Sequence, residues 1–129
     1  MMAFCMIKPE IPYLPDPKKR RGAVKIKNGT QTITDNAFYG SSIEEIEMPD
    51  SVKNLKKGAF CNCQKLQKVN LSNSLKIIPN SCFDFCVSLH EIKIPDSVEI
   101  IEKYAFFNAE LTNVDFGKSI RVIQYGAFK

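Results

Sequence analysis

The stretch FDFCVSLHEIKIPDSVEIIEKYAF, residues 83–106, decides the fold, because its pattern of apolar residues returns along most of the chain. Its apolar positions are spaced too irregularly for one amphipathic helix and too regularly for chance. The preceding stretch, residues 60–83, carries apolar residues at identical offsets. The two sets are Leu89, Ile92, Ile94, Val98 and Ile101, and Leu66, Val69, Leu71, Leu75 and Ile78. We interpret each stretch as one structural repeat.

A phenylalanine preceded by alanine or cysteine marks each repeat, at intervals of 22 or 23 residues. The shorter repeats lose one residue in the turn after the phenylalanine, and a deletion in a loop leaves the register of the core intact. A partial unit, Val24, Ile26 and Ile33, precedes the first marker. The marker phenylalanines are Phe38, Phe60, Phe83, Phe106 and Phe128.

Each repeat contains an apolar-polar-apolar triplet, such as Val69-Asn70-Leu71 or Ile92-Lys93-Ile94, which predicts a short strand with alternating faces. Proline or glycine tends to end the triplet, and a serine follows at a fixed offset (Ser51, Ser74, Ser97, Ser119). No repeat can bury its apolar side alone. Stacked repeats share one continuous core, with parallel strands about 4.7 to 4.9 Å apart.

The pattern L-x-x-V-x-I-P-x-S-V-x-x-I-x-x-x-A-F-x-x-C over residues 22–129 resembles the BspA-like class of leucine-rich repeats. The resemblance implies a right-handed leucine-rich-repeat solenoid of about five coils of 22–23 residues, composed mainly of β-structure and loop. It places short parallel β-strands on the concave face. It also implies protein binding, and in several relatives adhesion at the cell surface.

Residues 1–21 differ from the repeats and form a predicted N-terminal arm. Residues 9–17 hold four prolines, which favour an extended segment. This segment either caps the first coil, which we favour, or acts as a free ligand for another protein. Four consecutive cationic residues follow it, and they account for the whole net charge of +4, so the repeats are electrically balanced. These residues are Lys18, Lys19, Arg20 and Arg21.

The basic segment defines the alternative function, a membrane-surface or nuclear-targeted adaptor whose localisation depends on residues 18–21. An anionic membrane surface is therefore an alternative partner. Nucleic acid is disfavoured as a partner, because no basic stripe or aromatic platform extends the segment. The apolar residues 1–7 are too few, and lack the basic start, for a secretory signal. We expect a cytoplasmic protein, with the nucleus, or the cell surface by a signal-less route, as alternatives.

Residues with catalytic or metal-binding chemistry are sparse. Cys63 and Cys86 share one repeat position with Ala109, which indicates packing by a small side chain. Together with Cys61 and Cys82 they number four sulfurs, but their spacing is not typical of zinc, and an odd total of five cysteines favours free thiols. The single histidine, His90, is predicted as an exposed strand residue. We therefore expect a non-enzyme without cofactor or metal.

The outward positions of the predicted strands are the candidate binding site for a protein partner. Their charges alternate from coil to coil, which predicts that neighbouring side chains largely satisfy each other. These residues are Lys25, Glu45, Glu47, Lys68, Asn70, Glu91, Lys93, Asn113 and Asp115.

The leading function is a non-catalytic protein–protein interaction scaffold that also self-associates. The last repeat stops one residue after Phe128 without a polar closing segment. An open terminal coil exposes apolar side chains and an unpaired strand edge, which predicts a homo-oligomer formed through that end.

Overall fold

The structure is a computed structural model, and it describes residues 21–129. Within that range the chain forms ten short β-strands and no helix. It therefore provides no helical segment of the length and apolarity needed to span a bilayer there. The strands are β1 (Arg21–Lys25), β2 (Thr32–Ile33), β3 (Ser42–Glu47), β4 (Asn54–Leu55), β5 (Lys68–Asn70), β6 (Ile77–Ile78), β7 (Glu91–Lys93), β8 (Ile100–Ile101), β9 (Asn113–Asp115) and β10 (Val122–Ile123).

The odd-numbered strands stack into a first strand column, and the even-numbered strands stack into a second. In the first column β1, β3 and β5 form one parallel sheet and β7 and β9 another. In the second column β2 pairs with β4, and β6, β8 and β10 form a parallel sheet. One strand of each column makes a coil, so the described residues form a parallel solenoid of about five coils. This confirms the predicted fold class.

The first strand column lies where the apolar-polar-apolar triplets predicted it, shifted toward the N-terminus. The triplets from Val69 and Ile92 extend one residue beyond strands that end at Asn70 and Lys93. The second column was not predicted. Each of its strands has only two residues, too few to show an alternating pattern in the sequence.

The marker phenylalanines form a continuous stack through the core. Phe60 and Phe83 are completely buried, and their ring centroids lie 5.4 Å apart with planes 4° from parallel. The other neighbouring pairs have centroids 5.1 to 5.3 Å apart and planes within 9° of parallel. Offset-stacked rings at this distance attract each other beyond the effect of burial alone. The stack therefore sets the spacing of the coils as well as filling the core.

Two of the recurring serines link their coil to the one before it. Ser51 Oγ donates a hydrogen bond of 2.8 Å to the backbone oxygen of Thr30, and Ser74 Oγ donates one of 2.6 Å to that of Asp50. Serine hydroxyls commonly bond to nearby backbone oxygens, and here they join the turns of adjacent coils. Ser97 occupies the same repeat position, but its buried Oγ has no hydrogen-bond partner among the described residues, so this link is not common to every coil.

The first strand begins at Arg21, a residue assigned from sequence to the arm, and its backbone pairs with that of Ser42. Residues 1–20 lie outside the described range. The predicted roles of the proline-rich segment and of Lys18, Lys19 and Arg20 fall within these residues and stay predictions.

Candidate functional site: the concave face

The predicted binding residues lie on the first strand column, which we call the concave face. Glu45 pairs in register with Lys68, and Glu47 pairs with Asn70. The adjacent sheet continues the ladder, with Glu91 opposite Asn113 and Lys93 opposite Asp115. Lys25 stands opposite Glu47 at the N-terminal end. All nine residues are exposed.

Burial of the intervening residue gives this face its orientation. Val69 is buried between exposed Lys68 and Asn70, and Ile92 is buried between Glu91 and Lys93. Successive side chains of a strand point to opposite faces, so an inward apolar residue turns both neighbours outward. The core therefore holds the polar side chains at fixed positions on rigid elements.

A groove of about 530 Å³ crosses four strands of the concave face. It is lined by seven of the nine predicted residues, while Lys25 and Glu47 lie outside it. Gln67, which the sequence patterns did not single out, also lines the groove. This residue directly precedes β5. Its backbone nitrogen donates a 2.8 Å hydrogen bond to Glu44 O, which places it beside β3 on the adjacent coil. The predicted lining residues are Glu45, Lys68, Asn70, Glu91, Lys93, Asn113 and Asp115.

The charged residues of the groove do not form ion pairs with one another within the described part of the chain. Within residues 21–129, no ion pair of 4.0 Å or less joins Glu45, Lys68, Glu91 or Lys93. The charges alternate in register as predicted, with Glu45 opposite Lys68, but the paired side chains make no direct ionic contact. The reason is geometric: neighbouring strands place the side chains side by side, and both ends remain solvated. These groups are free to form hydrogen bonds with a ligand.

The cysteines lie in the core and not at the groove. Cys63 Sγ donates to the backbone oxygen of Phe38 at 3.0 Å, and Cys86 Sγ donates to that of Phe60 at 3.1 Å. Both thiols, and that of Cys82, are completely buried. Burial raises the pKa of Cys63 to about 11, and it also raises the pKa values of Cys82 and Cys86. These thiols therefore stay protonated at neutral pH and act as small packing groups.

Cys61 and His90 have no arrangement suited to catalysis. Cys61 is partly exposed, and its pKa is raised by burial and then by the negative charge of Asp84, which opposes formation of a nucleophilic thiolate. His90 is exposed and directly precedes β7, with its Nδ1 3.1 Å from the backbone oxygen of Glu110. Across the described residues, no three His, Cys, Asp or Glu side chains come together as metal ligands.

The coils, the phenylalanine stack and the concave strand column together define a leucine-rich repeat protein. Residues 20–129 match six copies of the BspA type leucine rich repeat region, and the chain belongs to that family. Proteins with leucine-rich repeats generally mediate protein–protein interactions, and they are typically non-catalytic. The resemblance noted from the sequence is thereby confirmed.

Solved structures of bacterial proteins are similar to this chain. A leucine-rich repeat protein of T. pallidum is 32% identical with a TM-score of 0.78, over 83% of this chain and 53% of that one. A leucine rich cell surface protein from Faecalibacterium prausnitzii is 28% identical with a TM-score of 0.70, over 80% of this chain and 34% of that one. A leucine-rich repeat protein from Bacteroides ovatus is 32% identical with a TM-score of 0.68, over 73% and 25%.

This chain thus spans between a quarter and about half the length of these three proteins. No curated protein matches it.

Proposed function

We propose that this chain is a non-catalytic protein-interaction scaffold whose concave face binds a protein partner. The observation that carries the proposal is the groove of about 530 Å³, which crosses four strands and presents both signs of charge. Repeat solenoids use such extended concave surfaces for binding. Charged side chains held in register on strands favour a partner with the complementary order of charges.

A charge-reversed groove should lose its partner. The variant Lys68→Glu/Glu91→Lys/Lys93→Glu inverts the order of charges without touching the core. Affinity for a partner isolated by pull-down with the native protein, then purified, should fall by about tenfold or more, because like charges then face each other across the interface. Isothermal titration calorimetry at physiological salt measures the change.

The matched control is Lys65→Glu/Glu110→Lys/Lys118→Glu, which makes the same charge changes at exposed positions outside the groove. Its affinity should stay close to that of the native protein. If the control loses the partner and the groove variant keeps it, the partner binds elsewhere and the concave-face proposal fails.

Self-association through the fifth coil is the second part of the proposal. Ile123 is 48% exposed, whereas Ile78 and Ile101, at the same repeat position in earlier coils, are completely buried. Phe116 is likewise exposed where Leu71 and Ile94 are buried. We call the exposed core positions of this coil the terminal face: Phe116, Ile123 and Phe128.

The strands of the fifth coil favour a second copy of the chain as the binding partner of the terminal face. Within the described residues, β9 and β10 each pair on one side only, with β7 and β8. A two-fold axis would place the terminal faces of two copies against each other. One contact would then pair the free strand edges and bury the exposed apolar side chains.

Ile123→Glu should convert a dimer of the 129-residue chain into a monomer. Burial of an unpaired carboxylate in an apolar contact is strongly unfavourable. Size-exclusion chromatography with light scattering across a concentration series measures the mass. Ile77→Glu is the control, since Ile77 is also exposed but belongs to the third coil, and that variant should remain dimeric. A native protein that is monomeric at the highest concentration contradicts self-association.

A further inference from the structure

We propose a second interaction surface on this protein, a lysine groove on the second strand column that binds an acidic peptide segment of a partner protein. The groove has a volume of about 450 Å³. Its cations come from the second and third coils, and its floor contains apolar residues. The cations are Lys53, Lys56, Lys57 and Lys76, and the apolar residues are Leu55, Ile77 and Pro79.

Stacking of the coils brings the lysines together. Lys53 directly precedes β4, and Lys76 directly precedes β6, so the two occupy one repeat position on adjacent coils. Lys56 and Lys57 directly follow β4. The backbone nitrogens of Lys53 and Lys56 donate hydrogen bonds of 2.9 Å to the first coil, at Gln31 O and Ile33 O. The backbone at these two lysines is therefore held in place, although the side chains themselves are flexible.

The lysines are incompletely neutralised. Asp35 and Glu102 are the acidic residues of the lining, so cations exceed acids by two. Glu102 is already engaged, because its Oε1 accepts a 3.0 Å hydrogen bond from the backbone nitrogen of Asn80. Among the described residues, no ion pair of 4.0 Å or less involves Lys53, Lys56 or Lys57. An anionic ligand would therefore meet three ammonium groups that have no ion-pair partner within this distance.

Lys76 has a weak partner only. Its Nζ lies 3.8 Å from Glu99, which also contacts Arg121 at 3.1 Å. Solvent-exposed pairs of this kind contribute about 0 to 1 kcal/mol, so a ligand carboxylate can compete for Lys76. Glu99 lies on the fourth coil and separates the lysine groove from Arg121, which limits the cationic surface to two coils.

The floor of the groove favours a peptide over a phosphate polymer. Ile77 is 39% exposed between the lysines, while Leu55 and Pro79, which line the same groove, are buried beneath it. A peptide with carboxylates and aliphatic side chains would satisfy both the ammonium groups and this apolar surface. Polyphosphate offers no aliphatic group. Lysines also suit spaced carboxylates, since an ammonium is a flexible point charge without the fixed planar geometry of guanidinium.

The two grooves have opposite charge. On the concave face three acids, Glu45, Glu91 and Asp115, exceed two lysines, whereas lysines dominate the second column. The lysine groove therefore binds different chemistry from the concave face and operates independently of it.

Binding of a fluorescein-labelled peptide of four Glu-Glu-Leu triplets, followed by fluorescence anisotropy in low salt, tests the proposal. The variant Lys53→Gln/Lys56→Gln/Lys57→Gln should bind the peptide about tenfold more weakly than the native chain. The control Lys27→Gln/Lys65→Gln/Lys118→Gln removes the same charge from exposed positions outside the groove, and it should bind like the native chain. Equal weakening in both variants would show a non-specific charge effect and overturn the proposal.

Ile77→Gln distinguishes a peptide site from a general polyanion site. This change should weaken binding of the Glu-Glu-Leu peptide severalfold and leave binding of polyphosphate unchanged. If polyphosphate displaces the peptide at equal charge concentration and Ile77→Gln has no effect, the surface takes polyanions and the peptide assignment is overturned. The charge-reversed concave variant should bind this peptide normally, so failure of either surface is recognisable separately.

Discussion

Phe83→Ala should lower the free energy of unfolding by about 3 to 5 kcal/mol, the range for truncating a buried phenylalanine. The ring of Phe83 is completely buried at the middle of the stack, with the rings of Phe60 and Phe106 at 5.4 and 5.3 Å. Alanine would leave a cavity and remove both ring contacts. Because each coil of a solenoid is stabilised by its neighbours, the cavity should also uncouple the two halves.

Urea unfolding followed by circular dichroism measures this effect. Uncoupling should appear as a broader transition with a lower denaturant slope. Phe128→Ala, compared at a concentration at which both variants are monomeric, is the matched control, because Phe128 is 37% exposed and stacks on Phe106 alone within the phenylalanine column. Its loss should be less than half as large. Equal losses for the two variants would mean that the stack does not couple the coils.

Alkaline pH should destabilise the protein steeply, because three buried thiols must ionise when it unfolds. The folded pKa values of Cys63, Cys82 and Cys86 are raised by burial, that of Cys63 to about 11. The unfolded value is about 8.5. Their stabilising effect is thus complete below the unfolded pKa and is lost as pH rises through the folded pKa. In that window each thiol removes about 1.4 kcal/mol per pH unit, or about 4 kcal/mol for all three.

Urea midpoints measured from pH 7 to 11 under reducing conditions test this prediction. The control variant is Cys63→Ala/Cys82→Ala/Cys86→Ala, which uses residues that the repeat itself accepts. Alanine occupies the Cys86 position in the next coil, as Ala109, and the Cys82 position in others, as Ala59 and Ala105. The control should show a much shallower pH dependence over this range. A pH dependence as steep as that of the native chain would mean that the three buried thiols do not cause the alkaline loss of stability.

The core could be predicted from the sequence because each coil buries a side chain at the same repeat positions, and only apolar or small residues suit those positions. All apolar positions assigned in residues 60–106 are buried, from Leu66 to Ile101. The concave ladder followed from the same rule, since an inward Val69 or Ile92 determines where its neighbours point. Such features depend on residues adjacent in the chain, and a period of 22 or 23 residues makes them visible five times.

The sequence by itself determined the repeat, the buried phenylalanine column and the alternation of the concave strands, because each depends on local spacing and on burial common to every coil. Only the tertiary structure decided which side chains meet between coils. Lys53 and Lys76 are 23 residues apart, yet they line one groove, and Glu99 pairs with Lys76 and Arg121. The second strand column that places them has strands of two residues. Such short strands form because they hydrogen-bond to neighbouring coils, and these bonds join residues that are far apart in the sequence.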